Sequence, residues 1–160
     1  MELFQYPNNI EGIDSMGVSH EYLAYLDTSN GAVKIFGRNE TSQFTFQQQF
    51  EVSNIGAWSK LLLVGSVVAV GGGDQPHLYS GQDGVWTKTI TINHANLGTL
   101  SQVQLEGDIL VIGGDNRVMI YSEQDSNWTE TITIDGEYSD FRLSGRSLLM
   151  SGSGDIHYYD

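Results

Sequence analysis

Residues 63–92, LVGSVVAVGGGDQPHLYSGQDGVWTKTITI, align without a gap on residues 105–134, LEGDILVIGGDNRVMIYSEQDSNWTETITI, at an offset of 42 residues. Gly65 falls on Gly107, Gly71 and Gly72 on Gly113 and Gly114, Tyr79 on Tyr121, and Asp83 on Asp125. The closing segments, Trp86 to Ile92 and Trp128 to Ile134, differ only where Lys88 stands against Glu130. Self-similarity at a period of 20–50 residues marks a chain built by stacking one small structural unit. A further copy follows at an offset of 38, with Leu143, Gly145, Gly152 and Tyr159 in the places of Leu105, Gly107, Gly114 and Tyr121. A more diverged copy precedes, with Tyr22 to Leu26, a Ser29-Asn30-Gly31 turn, Val33 to Phe36, and Phe44-Thr45 where Trp86-Thr87 would stand. The expected division is a closing strand at 1–9, repeats at 10–52, 53–94 and 95–136, and an incomplete fourth repeat at 137–160.

Each copy reads as four short strands. Val103-Gln104-Leu105 before the Glu106-Gly107-Asp108 turn is the first. Ile109 to Ile112 is the second, and its unbroken β-branched and leucine run suits burial on both faces. Gly113-Gly114-Asp115-Asn116 reads as a hairpin turn, because Gly and Asn accept the positive φ of primed turns. Arg117 to Tyr121 is the third strand. The fourth, Trp128 to Ile134, alternates large apolar residues with threonine, the pattern of an outer strand with one face packed and one face wet. No helical periodicity is present. A unit whose inner strands are apolar on both faces must stack against like units on either side. Radial stacking gives an all-β propeller. A single β-sandwich also has many short strands, but it gives no reason for a long ungapped self-match.

Composition narrows the function classes. A chain of 160 residues suits one domain, and its 19 glycines, against a usual share of about 7%, imply many tight turns. No apolar run approaches the roughly 18–20 residues that span a bilayer. Met1 to Pro7 has neither a basic start nor an apolar core, which favours an intracellular location and otherwise leaves the compartment open. With no cysteine, the expected fold uses neither disulfides nor thiolate metal sites. A net charge of −13 repels phosphate backbones and anionic lipid, so nucleic acid and membranes are not expected partners.

Nothing in the pattern points to catalysis. The histidines, His20, His77, His94 and His157, show no metal-site spacing. His77 and His157 share a repeat position that Lys34 and Met119 take in the other copies, which reads as a solvent-edge or inter-blade slot. No nucleophile elbow, phosphate loop or dinucleotide fingerprint occurs. Asp83 and Asp125 recur by repeat symmetry, which suits a turn in each copy better than an acid and a base. Neither enzyme activity nor a cofactor nor a metal is therefore expected. Trp58, Trp86 and Trp128 admit a lectin reading through stacking on sugar rings. Trp86 and Trp128 open the outer strand at equivalent positions, however, where a large ring would pin one blade to the next. Trp86, Trp128, Tyr79, Tyr121 and Tyr159 are the candidate blade-packing residues. Asn39-Glu40-Thr41 and Asn127-Trp128-Thr129 match glycosylation acceptors and read as chance matches.

On these residues the copies resemble degenerate FG-GAP or WD-type propeller repeats. Ile55-Gly56 and Leu97-Gly98 stand where that family has Phe-Gly, and Gly71-Gly72, Gly113-Gly114 and Ser151-Gly152 stand where it has Gly-Ala. The resemblance implies a propeller fold and not a function. Calcium-binding members carry closely alternating aspartates, whereas Gly73 to Pro76 and Asp115 to Val118 offer one carboxylate each, so no calcium is expected there.

The fourth copy reaches Asp160 directly after its third strand. Glu2 to Tyr6 is strand-like, and Leu3, Phe4 and Tyr6 are the candidate closure or assembly strand that could complete that blade. Two readings follow. The four units close into a four-bladed ring, or they form half of an eight-bladed ring completed by a second chain. The expected function is a non-enzymatic interaction or scaffold module that binds a protein partner or itself, with a glycan-binding lectin as the alternative.

Overall fold

The computed structural model describes residues 13–52, 60–71, 76–91, 100–114, 116–125, 127–138, 140–152 and 154–159, and every regular element among them is a strand. Sheet 1 holds β1 (Ile13–Val18), β2 (Tyr22–Asp27), β3 (Ala32–Arg38) and β4 (Phe44–Glu51). Sheet 2 holds β5 (Lys60–Val64), β6 (Val67–Gly71), β7 (His77–Gln82) and β8 (Val85–Thr91). Sheet 3 holds β9 (Leu100–Glu106), β10 (Ile109–Gly114), β11 (Arg117–Gln124) and β12 (Asn127–Asp135), and sheet 4 holds β13 (Asp140–Ser144), β14 (Ser147–Gly152) and β15 (Asp155–Tyr159). Each sheet is an antiparallel meander in chain order.

Local chemistry sets the turns. In sheets 2, 3 and 4 the first two strands join through two-residue loops that open with Gly65, Gly107 and Gly145, at φ of 55°, 56° and 59°. A β-carbon is disfavoured there, and a first loop residue with positive φ matches the right-handed twist of the flanking strands. The outer hairpins of sheets 2 and 3 instead place Asp83 and Asp125 at φ 52°, a conformation Asp tolerates better than most residues.

Sheet stacking follows from the apolar inner strands. All of β2 and β10 is buried. Tyr22, Ala24, Leu26, Val33 and Ile35 of sheet 1 meet Leu61, Val68, Val70, Tyr79 and Trp86 of sheet 2. Ala69 and Leu78 on the opposite side of sheet 2 meet Val103, Leu105, Leu110, Ile112, Tyr121 and Trp128 of sheet 3. Ile109, Val111, Val118 and Ile120 of sheet 3 then meet Phe141, Leu148 and Met150 of sheet 4. The side of each sheet that packs on the next is called here its forward face, and the side that receives the preceding sheet its rear face. The innermost strands follow the same sequence, β1 against β5, β5 against β9 and β9 against β13. Among the described residues no comparable packing joins β13 to β1.

Two details differ from the sequence expectation. Gly113 does not turn the chain: it lies inside β10, opposite Val118, and a β-carbon there would overlap the Phe141 ring of the next sheet. The fourth strand also has less packing than its alternation suggests. In β12 Trp128 is buried while the rest of the strand is exposed or half-buried, because the outer strand lies at the rim, away from the stacked inner strands.

Gly113→Ala is expected to lower stability by about 1–3 kcal/mol through overpacking. A urea midpoint shift at unchanged slope measures it, and adding Phe141→Leu should recover part of the loss.

Candidate interaction surfaces

Register equivalence between the sheets shows which faces lack a neighbouring sheet. Leu63, Leu105 and Leu143 correspond to Val18, because each pairs with the equivalent residue of the second strand. On that basis the rear face of sheet 1 presents Met16 and Val18 on β1 and Phe46 on β4, exposed at 58%, 64% and 57%. Behind them Tyr25 stacks on Phe36, and Phe36 meets Phe46 edge-on, both at 5.7 Å between ring centroids. The forward face of sheet 4 presents Leu149, Ile156 and Tyr158, exposed at 46%, 74% and 62%. Their equivalents in sheet 3, Val111, Val118 and Ile120, are buried against sheet 4. A third feature is the edge of sheet 4, where among the described residues β15 pairs only with β14.

The polar groups near these surfaces are structural. Asp27 is buried at the end of β2 and accepts hydrogen bonds from Ser29 Oγ at 2.7 Å, Asn30 N at 3.1 Å, Asn30 Nδ2 at 2.9 Å and Lys34 Nζ at 2.9 Å. Burial alone would push its carboxyl up, but these donors together hold it well below the usual carboxylate range. Lys34, raised chiefly by its hydrogen bond to Asp27, also lies 5.6 Å over the Tyr25 ring. The group therefore locks the β2–β3 turn.

His77, in the repeat position of Lys34, Met119 and His157, is buried, whereas His157 is exposed. Desolvation, with Lys88 nearby, pushes the His77 imidazole down to about 4. Burial raises Tyr79 to about 12, and burial aided by Glu130 does the same for Tyr121. No group of three or more histidine, aspartate or glutamate side chains among the described residues could hold a metal ion.

The remaining residues singled out in the sequence are distributed as follows. Trp86 and Tyr79 lie in the cluster between sheets 1 and 2, where Tyr22 meets Trp86 edge-on at 5.0 Å and Phe50 stacks on Tyr79 at 4.4 Å. Trp128 and Tyr121 lie between sheets 2 and 3, and Tyr159 packs half-buried on the cluster between sheets 3 and 4. With both indoles buried, Trp86 and Trp128 present no stacking platform for a sugar. Leu3, Phe4, Tyr6 and Trp58 lie outside the described residues. Sequence reasoning missed the aromatic face of Tyr25, Phe36 and Phe46. The signal was Phe46 itself, which stands where Lys88 and Glu130 stand in the later copies.

No protein-family model matches the chain, and no curated protein matches it in sequence. Its fold has counterparts among solved structures. It is similar to the computationally designed Ika4 protein, at 10% identity and a TM-score of 0.68 over 99% of this chain and 97% of that one. It is also similar to Hsv2 of Kluyvelomyces marxianus, at 14% identity and TM-score 0.59 over 92% of this chain and 48% of that one. A Lactobacillus plantarum protein matches at 10% and 0.55 over 88% and 53%. The chain spans about half the length of these last two. At such identities the likeness concerns the fold, four antiparallel sheets that resemble propeller blades.

A His held neutral in the fold and protonated when unfolded weakens the fold as pH drops from its unfolded value of 6.5 to about 4, below which both states carry the proton. The loss is roughly 3 kcal/mol at most. His77→Met, which copies Met119, is expected to flatten the melting temperature across that window. The Asp27 contribution is lost only as pH falls below the 3.8 of a free carboxyl, outside the window.

Proposed function

We propose that this chain is a non-enzymatic interaction and scaffolding module of propeller type, with blades bounded at 10–52, 53–94, 95–136 and 137–160, which associates with protein through the surfaces where its array of sheets stops. The observation that carries this reading is the open end of the array. Among the described residues sheet 4 has three strands where the other sheets have four, and its edge strand β15 carries the exposed Ile156 and Tyr158. An open edge offers backbone hydrogen bonds to an added strand without special side chains. Residues 1–9, with Leu3, Phe4 and Tyr6 as the apolar anchors, are the segment proposed to supply that strand, within one chain or between chains. Large exposed apolar side chains gathered on sheet faces support the same reading, since such patches mark protein contacts.

Deleting residues 1–6 tests the strand. The expected result is a lower melting temperature, by roughly 2–4 °C for each kcal/mol lost, together with a changed mass in solution. If both stay as in the full chain, the strand-donation reading is wrong.

A further inference from the structure

Six of the eight large apolar side chains exposed among the described residues, Met16, Val18, Phe46, Leu149, Ile156 and Tyr158, lie on two surfaces, the rear face of sheet 1 and the forward face of sheet 4. These are not arbitrary patches. Within the chain, a forward face meets a rear face at all three sheet-to-sheet junctions, and the two unpaired surfaces are one face of each kind. Resting on the interaction-module reading above, we propose that the partner is a second copy of this chain. The forward face of sheet 4 of each copy seats on the rear face of sheet 1 of the other, and two copies close a ring of eight sheets.

The inner strands carry an independent sign of the same fit. At the first junction Ser15 Oγ accepts from Leu61 N at 3.0 Å and donates to Leu61 O at 3.3 Å. At the third junction Gln102 Oε1 accepts from Phe141 N at 3.0 Å, and its Nε2 donates to Asp140 Oδ1 at 2.5 Å. Ser15 and Gln102 hold equivalent positions in β1 and β9, and Leu61 and Phe141 are equivalent in the sheets that follow. The first and third junctions are thus pinned by a side-chain oxygen that receives a backbone N–H of the next sheet, whereas sheet 2 has Lys60 at that position. The residue of sheet 4 at that position is Asp140, a hydrogen-bond acceptor. The backbone donor at the matching place is Met16 N, on the rear face of sheet 1. Asp140 Oδ1 already receives Gln102 Nε2 and lies 3.1 Å from Arg142 Nη1, so the acceptor offered to a following sheet would be Oδ2.

Geometry sets the number of copies. A face that pairs with an unlike face makes a head-to-tail contact, which yields a closed ring or an open filament. Propellers close with about four to eight blades. One chain alone would need β13 to pack on β1, and no packing comparable to the three junctions joins them among the described residues. Three chains would require twelve sheets, beyond that range. Two give eight, in keeping with an arc that superposes on about half of chains twice its length.

The exposed Arg142 and the serines at 147 and 151 take the other positions of the sheet 4 face, where sheet 3 has Gln104, Ile109 and Gly113. The junction between copies is accordingly more polar than those inside the chain, as suits surfaces that meet water before assembly.

Light scattering on the full chain is expected to give twice the 17.7 kDa of one chain. Val18→Lys and Leu149→Glu change exposed side chains on the two opposite faces, so each variant should keep the wild-type circular dichroism and run as a monomer. Mixed in equal amounts, the two variants should form a dimer again. In that heterodimer one junction opposes Lys to Glu and the other is wild type on both sides. A like-face dimer would not recover on mixing. A monomeric wild type, growth into species larger than the dimer, dimers that survive either substitution, or no recovery on mixing would each overturn the proposal. A monomeric wild type that still loses stability without residues 1–6 would overturn the ring and leave the module reading standing.

Discussion

The inner strands of each sheet are apolar on both faces, and the rest of the structure follows from that constraint. A sheet with one apolar face can turn the other to water. A strand such as β10, buried along its whole length, has no wet face, so its sheet needs a neighbour on both sides. The chain meets this demand by repetition. Each sheet is neighbour to the next, and the hydrophobic core is three interfaces of similar composition in series instead of one central cluster.

Serial packing places strict demands on small residues. Neighbouring sheets approach each other closely at the inner strands, and a bulky side chain on one face needs a void on the other. Phe141 fills the space left by Gly113, and Leu63 lies against Gly17. Large and small residues trade places between junctions, which lets copies of low identity keep one geometry, since volume is conserved across the interface even where identity is not. Farther out the demand relaxes. A bidentate amide takes over there, with Gln48 Nε2 donating to Trp86 O and Trp86 N donating to Gln48 Oε1, both at 3.0 Å.

Much of this was legible in the sequence because it depends on period and on turn chemistry. The ungapped match placed the strands of sheets 2 and 3, and glycines at 65, 107 and 145 marked the first hairpin of three sheets because L-residues avoid their φ. What escaped depends on the partner across a junction. Gly113 looks like a turn residue until Phe141 is seen beside it. The slot of His77 reads as solvent-edge or inter-blade, and the choice between the two rests on the neighbouring sheet: His77 is buried, whereas Lys34 reaches a carboxylate and His157 water. The aromatic face of sheet 1 was hidden because that repeat is the most diverged, and its difference from the others carries the information.

That divergence has a physical logic. Repeats inside the array answer to two neighbours of the same chain, which holds their faces to one pattern. The rear face of sheet 1 and the forward face of sheet 4 answer to no sheet of their own chain among the described residues. There Phe46 replaces the Lys88 and Glu130 of the inner sheets, and Tyr158 replaces Leu78 and Ile120. If these faces were simply solvated rims, the favoured change would be toward charge, as in capping repeats. On sheet 1 the change runs from charge to an aromatic ring, and on sheet 4 from an aliphatic side chain to a tyrosine, an amphipathic residue enriched where protein meets protein. At these positions both ends differ from the interior in the direction of contact, while Arg142 and Ser147 make the rest of the sheet 4 face more polar than its counterpart in sheet 3, and the chain as a whole carries a net charge of −13.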